Sequence, residues 1–176
     1  MSDLSIVTYG SKVLRKRAED VKDVSPALKR LADDMLDAMY EANGVGLAAP
    51  QVGESVRLFV VDVSPRDGKD GKKEPLVFFN PRIISASGKA TAEEGCLSIP
   101  DVWADVTRPE IITVSALDRE GKPFTIENAG DLLARCIQHE YDHLEGVLFT
   151  DKISATDRLL NEGRLKKLTK LARAAL

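Results

Sequence analysis

Residues 131–146 read DLLARCIQHEYDHLEG. From Asp131 the apolar residues Leu132, Leu133, Ile137 and Leu144 fall at helical spacing, and Gly146 offers a stop. His139 and His143, the chain's only two histidines, stand four residues apart. That is about 400° of helical turn, so both project from one face with Cβ atoms about 6 Å apart. Two imidazoles so placed can converge on one ion. Glu140 is offset by about 100°, at the edge of the same face. There it can reach a metal-bound water without being a ligand. This is the mechanical content of H-E-x-x-H, two ligands and one general base. The bland alternative is a solvated helix with chance charges. The flanking apolar residues, Val147 included, argue for burial instead. A glutamate buried between two histidines is costly without a partner or a role.

Outward from this helix, the chain alternates irregularly. Ser25-Pro26 opens a helix, serine as cap and proline preset for the first turn. Leu28, Leu31, Met35 and Met39 carry it to about Ala42, before Asn43-Gly44. VRLFVVDV (56–63) reads as a central strand. LVFFNPRII (76–84) reads as a strand region interrupted by Pro81. The polar stretch 64–75 reads as an exposed loop. IITVSALD (111–118) and KPFTIEN (122–128) flank Arg119-Glu120-Gly121 as a hairpin. A last helix covers roughly 156–174, with Gly163 costing up to about 1 kcal/mol relative to alanine. The order is helix, strands, helix, helix. It predicts one α+β domain over residues 1–176, with antiparallel or mixed sheets packed around the central metal-binding helix and a C-terminal helix.

Composition sets limits. A net charge of −3 argues against a general nucleic-acid binder. Lys166, Lys167, Lys170 and Arg173 form a basic stripe near the C-terminus, read first as a solvated helix face. No apolar run approaches the ~20 residues of a membrane span. The N-terminus lacks a signal-peptide pattern. Cys96 and Cys136 are too few for a disulfide framework, so a reducing cytoplasm is the expected location and a thiolate remains available as a ligand.

Two histidines leave a metal shell incomplete. Cys136 lies one turn before His139 but about 10 Å along the axis from His143, too far for one ion. It reads as a small buried residue on the same face. Cys96, in TAEEGCLSIP (91–100), follows a glycine in what reads as an irregular segment where backbone can approach a site. Cys96, His139 and His143 leave a fourth position open for water, the mark of a catalytic site. Such an ion brings the pKa of its water toward neutrality, and Glu140 takes the proton. Attack on a carbonyl then needs donors aimed at the developing oxyanion. The Leu97 amide and the Gln51 side chain, in GVGLAAPQVG (44–53), are the candidates. Taken alone, that glycine-rich stretch is also a plain helix-to-strand loop.

GVGLAAPQVG, EGCLSIP and QHEYDHLEG, in this order, together resemble the three signature motifs of the peptide deformylases. These enzymes remove the formyl group from the initiator methionine of new proteins. The resemblance implies Cys96, His139 and His143 as metal ligands and Glu140 as catalytic acid/base. It implies that Gln51 and the Leu97 amide stabilise the formyl oxygen, and that Gly46 holds the formyl-methionyl group through its backbone. It implies ferrous iron, for which zinc or nickel can substitute. The expected substrates are N-formylmethionyl nascent peptides, released as formate and a free N-terminus. Val45, Leu132 and Cys136 are candidates for the methionine pocket, although core packing would account for each. Arg135 stands where an apolar residue is expected beside that pocket, and Trp103 stands beyond EGCLSIP where relatives vary. Asp142 and Arg108 form a candidate ion pair. The basic C-terminal helix suggests a weak ribosome contact, with no DNA and no membrane partner.

Two other readings fit the residues. One is a zinc peptidase with Glu93, Glu94 or Glu145 as third ligand, cutting internal peptide bonds. The other is a metal-stabilised binding module, which needs a fourth protein ligand; Cys136 is the spare soft one.

Overall fold

A computed structural model describes residues 3–66 and 71–175. Helix α1 (Pro26–Glu41) begins where Ser25 Oγ accepts a hydrogen bond from the Leu28 amide at 3.2 Å. It buries Ala32, Met35, Ala38 and Met39, with Leu28 and Leu31 packed half-buried beside them. Asn43, at φ 56°, takes the left-handed position that ends it.

Among the described residues, seven strands form two sheets. Strands β1 (Gly46–Ala48), β2 (Leu58–Val61), β3 (Leu76–Ser87), β6 (Ile111–Leu117) and β7 (Pro123–Ala129) pair in the order β1-β2-β3-β6-β7. Strands β4 (Ala90–Cys96) and β5 (Ile99–Arg108) pair only with each other. Every ladder is antiparallel. The hairpin at 111–128 is present as β6–β7.

Two expectations need correction. Pro81 does not interrupt its strand. The register between β3 and β6 shifts between Phe79 and Arg82, and the proline lies in that irregularity, where a missing donor is tolerated. The segment around Cys96 is strand rather than loop, irregular only at a register shift between Glu94 and Cys96. It is the end of β4, where Cys96 faces Ile99 across the turn into β5. Of the loop at 64–75, residues 67–70 lie outside the described residues. Its base is pinned, because the Asp62 carboxylate accepts from Ser64 Oγ at 2.5 Å and from the Glu74 amide at 3.0 Å.

Helix α2 (Asp131–Leu144) packs against β1 and β2. Ile137 and Leu144 are fully buried in a core with Phe59, Val61 and Phe78. Burying such an aliphatic side chain contributes about 1.5–3 kcal/mol. Gly146 ends the turn at φ 73°, and a Cβ there would lie 2.6 Å from the Arg15 carbonyl oxygen. Only glycine satisfies both conditions. Helix α3 (Ala155–Ala174) is capped by Ser154 and packs on β5 through Leu165 and Leu168. No helix among the described residues is long and apolar enough to cross a membrane.

Candidate metal centre

The helical spacing works as the sequence suggests. His139 and His143 share one face of α2, with ring centroids 5.1 Å apart. The tip of the β4–β5 hairpin brings in Cys96, whose Sγ lies 3.4 Å from His143 Nε2. One ligand atom from each of the three residues falls within 4.8 Å of the others. Bonds of about 2.3 Å to sulfur and 2.1 Å to nitrogen place tetrahedral neighbours about 3.6 Å apart, so the thiol–imidazole pair suits a shared ion. His139 Nδ1 is occupied by Glu94 Oε1 at 2.9 Å, which leaves its Nε2 for the centre. A carboxylate behind a ligating imidazole fixes the tautomer and the ring orientation. The donor set therefore fits one metal ion.

Glu140 is 4% exposed, and its Oε2 has no hydrogen-bond partner among the described residues. Burial pushes its pKa up to about 7, against the pull of the His139 charge. A carboxylate poised near neutrality can both take and give a proton. Burial also pushes His143 down and the Cys136 thiol up, the latter helped by the Glu140 charge. Cys136 Sγ donates to the Val45 carbonyl at 3.4 Å. It is thus a protonated, buried thiol outside the convergent group.

Gln51 sits in a short 3₁₀ turn after β1. Its Oε1 accepts from the Ala48 amide at 2.9 Å, and its Nε2 donates to Ser98 Oγ at 3.1 Å while facing Cys96 Sγ at 3.5 Å. The amide is thereby oriented with its donor end toward the centre. Leu97 lies in the turn beside Cys96. A cavity of about 420 Å³ is lined by Val45, Gly46, Gln51, Leu97, Leu132 and Cys136, and by Cys96, His139 and Glu140. Of the residues expected at the site only His143 does not line it; that side chain is 1% exposed. Gly46 makes the approach possible, since a Cβ there would stand 2.5 Å from Glu140 Oε1.

The other carboxylates weighed as ligands fall outside the convergent group among the described residues. Glu145 pairs with Arg57 at 2.8 Å, Glu93 is exposed, and Glu94 lies on the far side of His139. Glu94 is the residue whose place the sequence did not reveal. It accepts from Arg108 at 2.7 and 2.9 Å and from Arg135 at 2.6 Å. Burial pushes its pKa up, but the hydrogen bonds from His139 and Arg108 outweigh this and hold it well below the usual range. Arg108 also reaches Asp142 at 2.8 Å. Because Arg108 is buried and the Asp142 side chain only 18% exposed, this pair is part-buried rather than a surface ion pair.

Residues 3–159 match the family profile described as polypeptide deformylase. The chain belongs to this family. A peptide deformylase of Agrobacterium fabrum is 50% identical over 172 residues, covering 97% of each chain. One from Alkalilimnicola ehrlichii is 46% identical over 173 residues, covering 98% of this chain and 94% of its own. The crystal structure of a peptide deformylase from Legionella pneumophila superposes with a TM-score of 0.86 at 45% identity, covering 96% of both chains. The chain is accordingly a hydrolase that removes the N-terminal formyl group from nascent polypeptides. Family and donor set together indicate a single metal ion.

Proposed function

We propose that Cys96, His139 and His143 hold one divalent ion, ferrous iron, in whose place zinc or nickel can stand, and that the site deformylates N-formylmethionyl peptides to formate and a free methionyl N-terminus. The observation that carries this reading is the convergence of one thiol and two imidazoles beside a buried carboxylate, at the cavity, whose Oε2 has no hydrogen-bond partner among the described residues. When bound, the ion supplies a Lewis acid that polarises the formyl carbonyl and makes water nucleophilic near neutral pH. Glu140 takes the water's proton and delivers it to the departing amine nitrogen. Gln51 Nε2 and the Leu97 amide donate to the formyl oxygen as it gains charge. Gly46 lets the substrate backbone lie against Glu140, and Val45, Leu132 and Cys136 receive the methionine side chain. An acetyl group carries an extra methyl that crowds the Gly44–Gln51 wall, so selectivity for formyl follows from space. Residues 1–176 work as one catalytic domain. The cytoplasm is the expected setting, where nascent chains emerge, and the basic face of α3 offers a weak ribosome contact.

The test is formate release from a formyl-Met peptide by anaerobically purified, iron- or nickel-loaded protein. An acetyl-Met peptide and Glu140→Gln serve as controls. Formate from the formyl peptide alone, lost in the variant while metal is retained, is the expected result. Near-normal turnover by Glu140→Gln would remove Glu140 from its role. Internal peptide fragments in place of formate would return the zinc-peptidase reading.

A further inference from the structure

The centre is assembled from two bodies that no backbone ladder joins among the described residues. Cys96 belongs to the β4–β5 sheet, whereas both histidines belong to α2, which packs on the five-stranded sheet. Something must hold the hairpin and the helix in register to within a fraction of an ångström. Arg135, one turn before His139 on α2, touches both strands of the hairpin. Its Nη1 donates to Glu94 Oε2 at 2.6 Å and to the Val106 carbonyl at 2.9 Å, and its Nη2 donates to the Ala90 carbonyl at 2.8 Å. The same Glu94 carboxylate accepts from His139 Nδ1. Arg135 and Arg108 together balance the carboxylates of Glu94 and Asp142. Although Arg135 lines the cavity, both its Nη atoms are engaged by the protein.

We infer that Arg135 is a positioning residue for the metal centre. It fixes the Glu94 carboxylate that orients His139 and fastens the Cys96 hairpin to the histidine helix, and it does not set the shape of the methionine pocket. This rests on the metal-centre reading above. Lysine is a poor replacement, because one ammonium cannot reproduce the planar fork that reaches three acceptors on three strand and carboxylate positions.

The test uses the full chain loaded with cobalt, for wild type, Arg135→Lys and Arg135→Leu. The readouts are the rate of cobalt loss to a chelator, the cobalt absorption bands, and KM and kcat on a formyl-Met peptide. Outer partners of metal ligands typically govern about 10–100-fold in metal affinity. Arg135→Leu should therefore lose cobalt about tenfold faster, with shifted bands and a lower kcat at unchanged KM, and Arg135→Lys should fall between. Wild-type bands and chelator rate, with only KM or side-chain preference altered, would overturn the inference and make Arg135 a pocket residue. A lower melting temperature with unaltered bands would also overturn it, leaving Arg135 a general structural residue. If Arg135→Leu does not fold, Arg135→Lys decides by the same readouts. A wild-type protein that binds no cobalt, or binds it without a thiolate charge-transfer band, would instead defeat the metal-centre reading itself.

Discussion

Gly46→Ala isolates how much of the reaction depends on close packing. The new methyl would stand 2.5 Å from Glu140 Oε1, 2.7 Å from Cys136 Sγ and 2.9 Å from Glu140 Cγ. Gly46 does not have a positive φ, so backbone strain is not at issue and the cost is steric. Overpacking of this kind costs about 1–3 kcal/mol, which lowers the melting temperature of a chain this size by roughly 2–12 °C. The functional cost is of comparable size, since 100-fold in rate is about 2.7 kcal/mol. Ordinary contact begins near 3.4 Å, so the carboxylate must retreat by about 1 Å, and a misplacement of that size can cost about 100-fold in rate. Formate release, metal content and thermal melting would be measured together. The expected result is kcat reduced about 100-fold with one metal retained and the fold intact. Adding Cys136→Ala removes the sulfur contact and should restore part of the stability while leaving kcat low. Near-normal kcat in Gly46→Ala would refute the claim that Glu140 must occupy its observed place. Metal loss in step with activity would assign the damage to the ligands instead.

Cys96→Ala should lose the metal, whereas Cys136→Ala should keep it; metal analysis showing the reverse would exchange their roles. Gly163 is exposed within α3, with nothing within 4 Å of a built Cβ, so Gly163→Ala should raise stability by up to about 1 kcal/mol in denaturant melts. Burial pushes the Asp62 pKa up, but hydrogen bonds from Ser64, Tyr40 and the Glu74 amide hold it below the ordinary value. A carboxyl depressed in the folded state contributes stability above its unfolded pKa and loses it as pH falls through the folded one. Asp62→Asn should therefore be less stable than wild type at pH 7, and should lose less on acidification below about pH 4. Parallel stability–pH curves for the two proteins would count against this.

The helices were legible because their signals are local. Ser25-Pro26, the 3.6-residue apolar period and the glycine stops all act within a turn or two. The three convergent residues were legible for a related reason, since the helix alone fixes two of them and leaves one good cysteine. The β4–β5 hairpin was missed, although β5 alternates cleanly, with Val102, Ala104, Val106 and Arg108 inward. That inward set ends in an arginine, and β4 contributes two alanines, two glutamates and a glycine, residues with weak strand preference. Arg108 can face inward only because Glu94 and Asp142 meet it there. Pairing of this kind depends on residues 14 and 34 positions away; Asp142 stood as a candidate partner of Arg108, but no local pattern encodes the Glu94 one. A separation of 45 positions likewise hid Glu94 behind His139.

Trp103, the chain's single tryptophan, is 59% exposed at the mouth of the cavity. Its ring lies against the backbone of Gly95, where any side chain would collide with it. Gly95 immediately precedes Cys96. The indole is thus an optical reporter at the rim of the centre, with no second tryptophan to dilute its signal. Ordering of the hairpin or arrival of a peptide changes the water around that one ring. Its emission can therefore follow assembly and occupancy of the site in real time, without a label and without turnover.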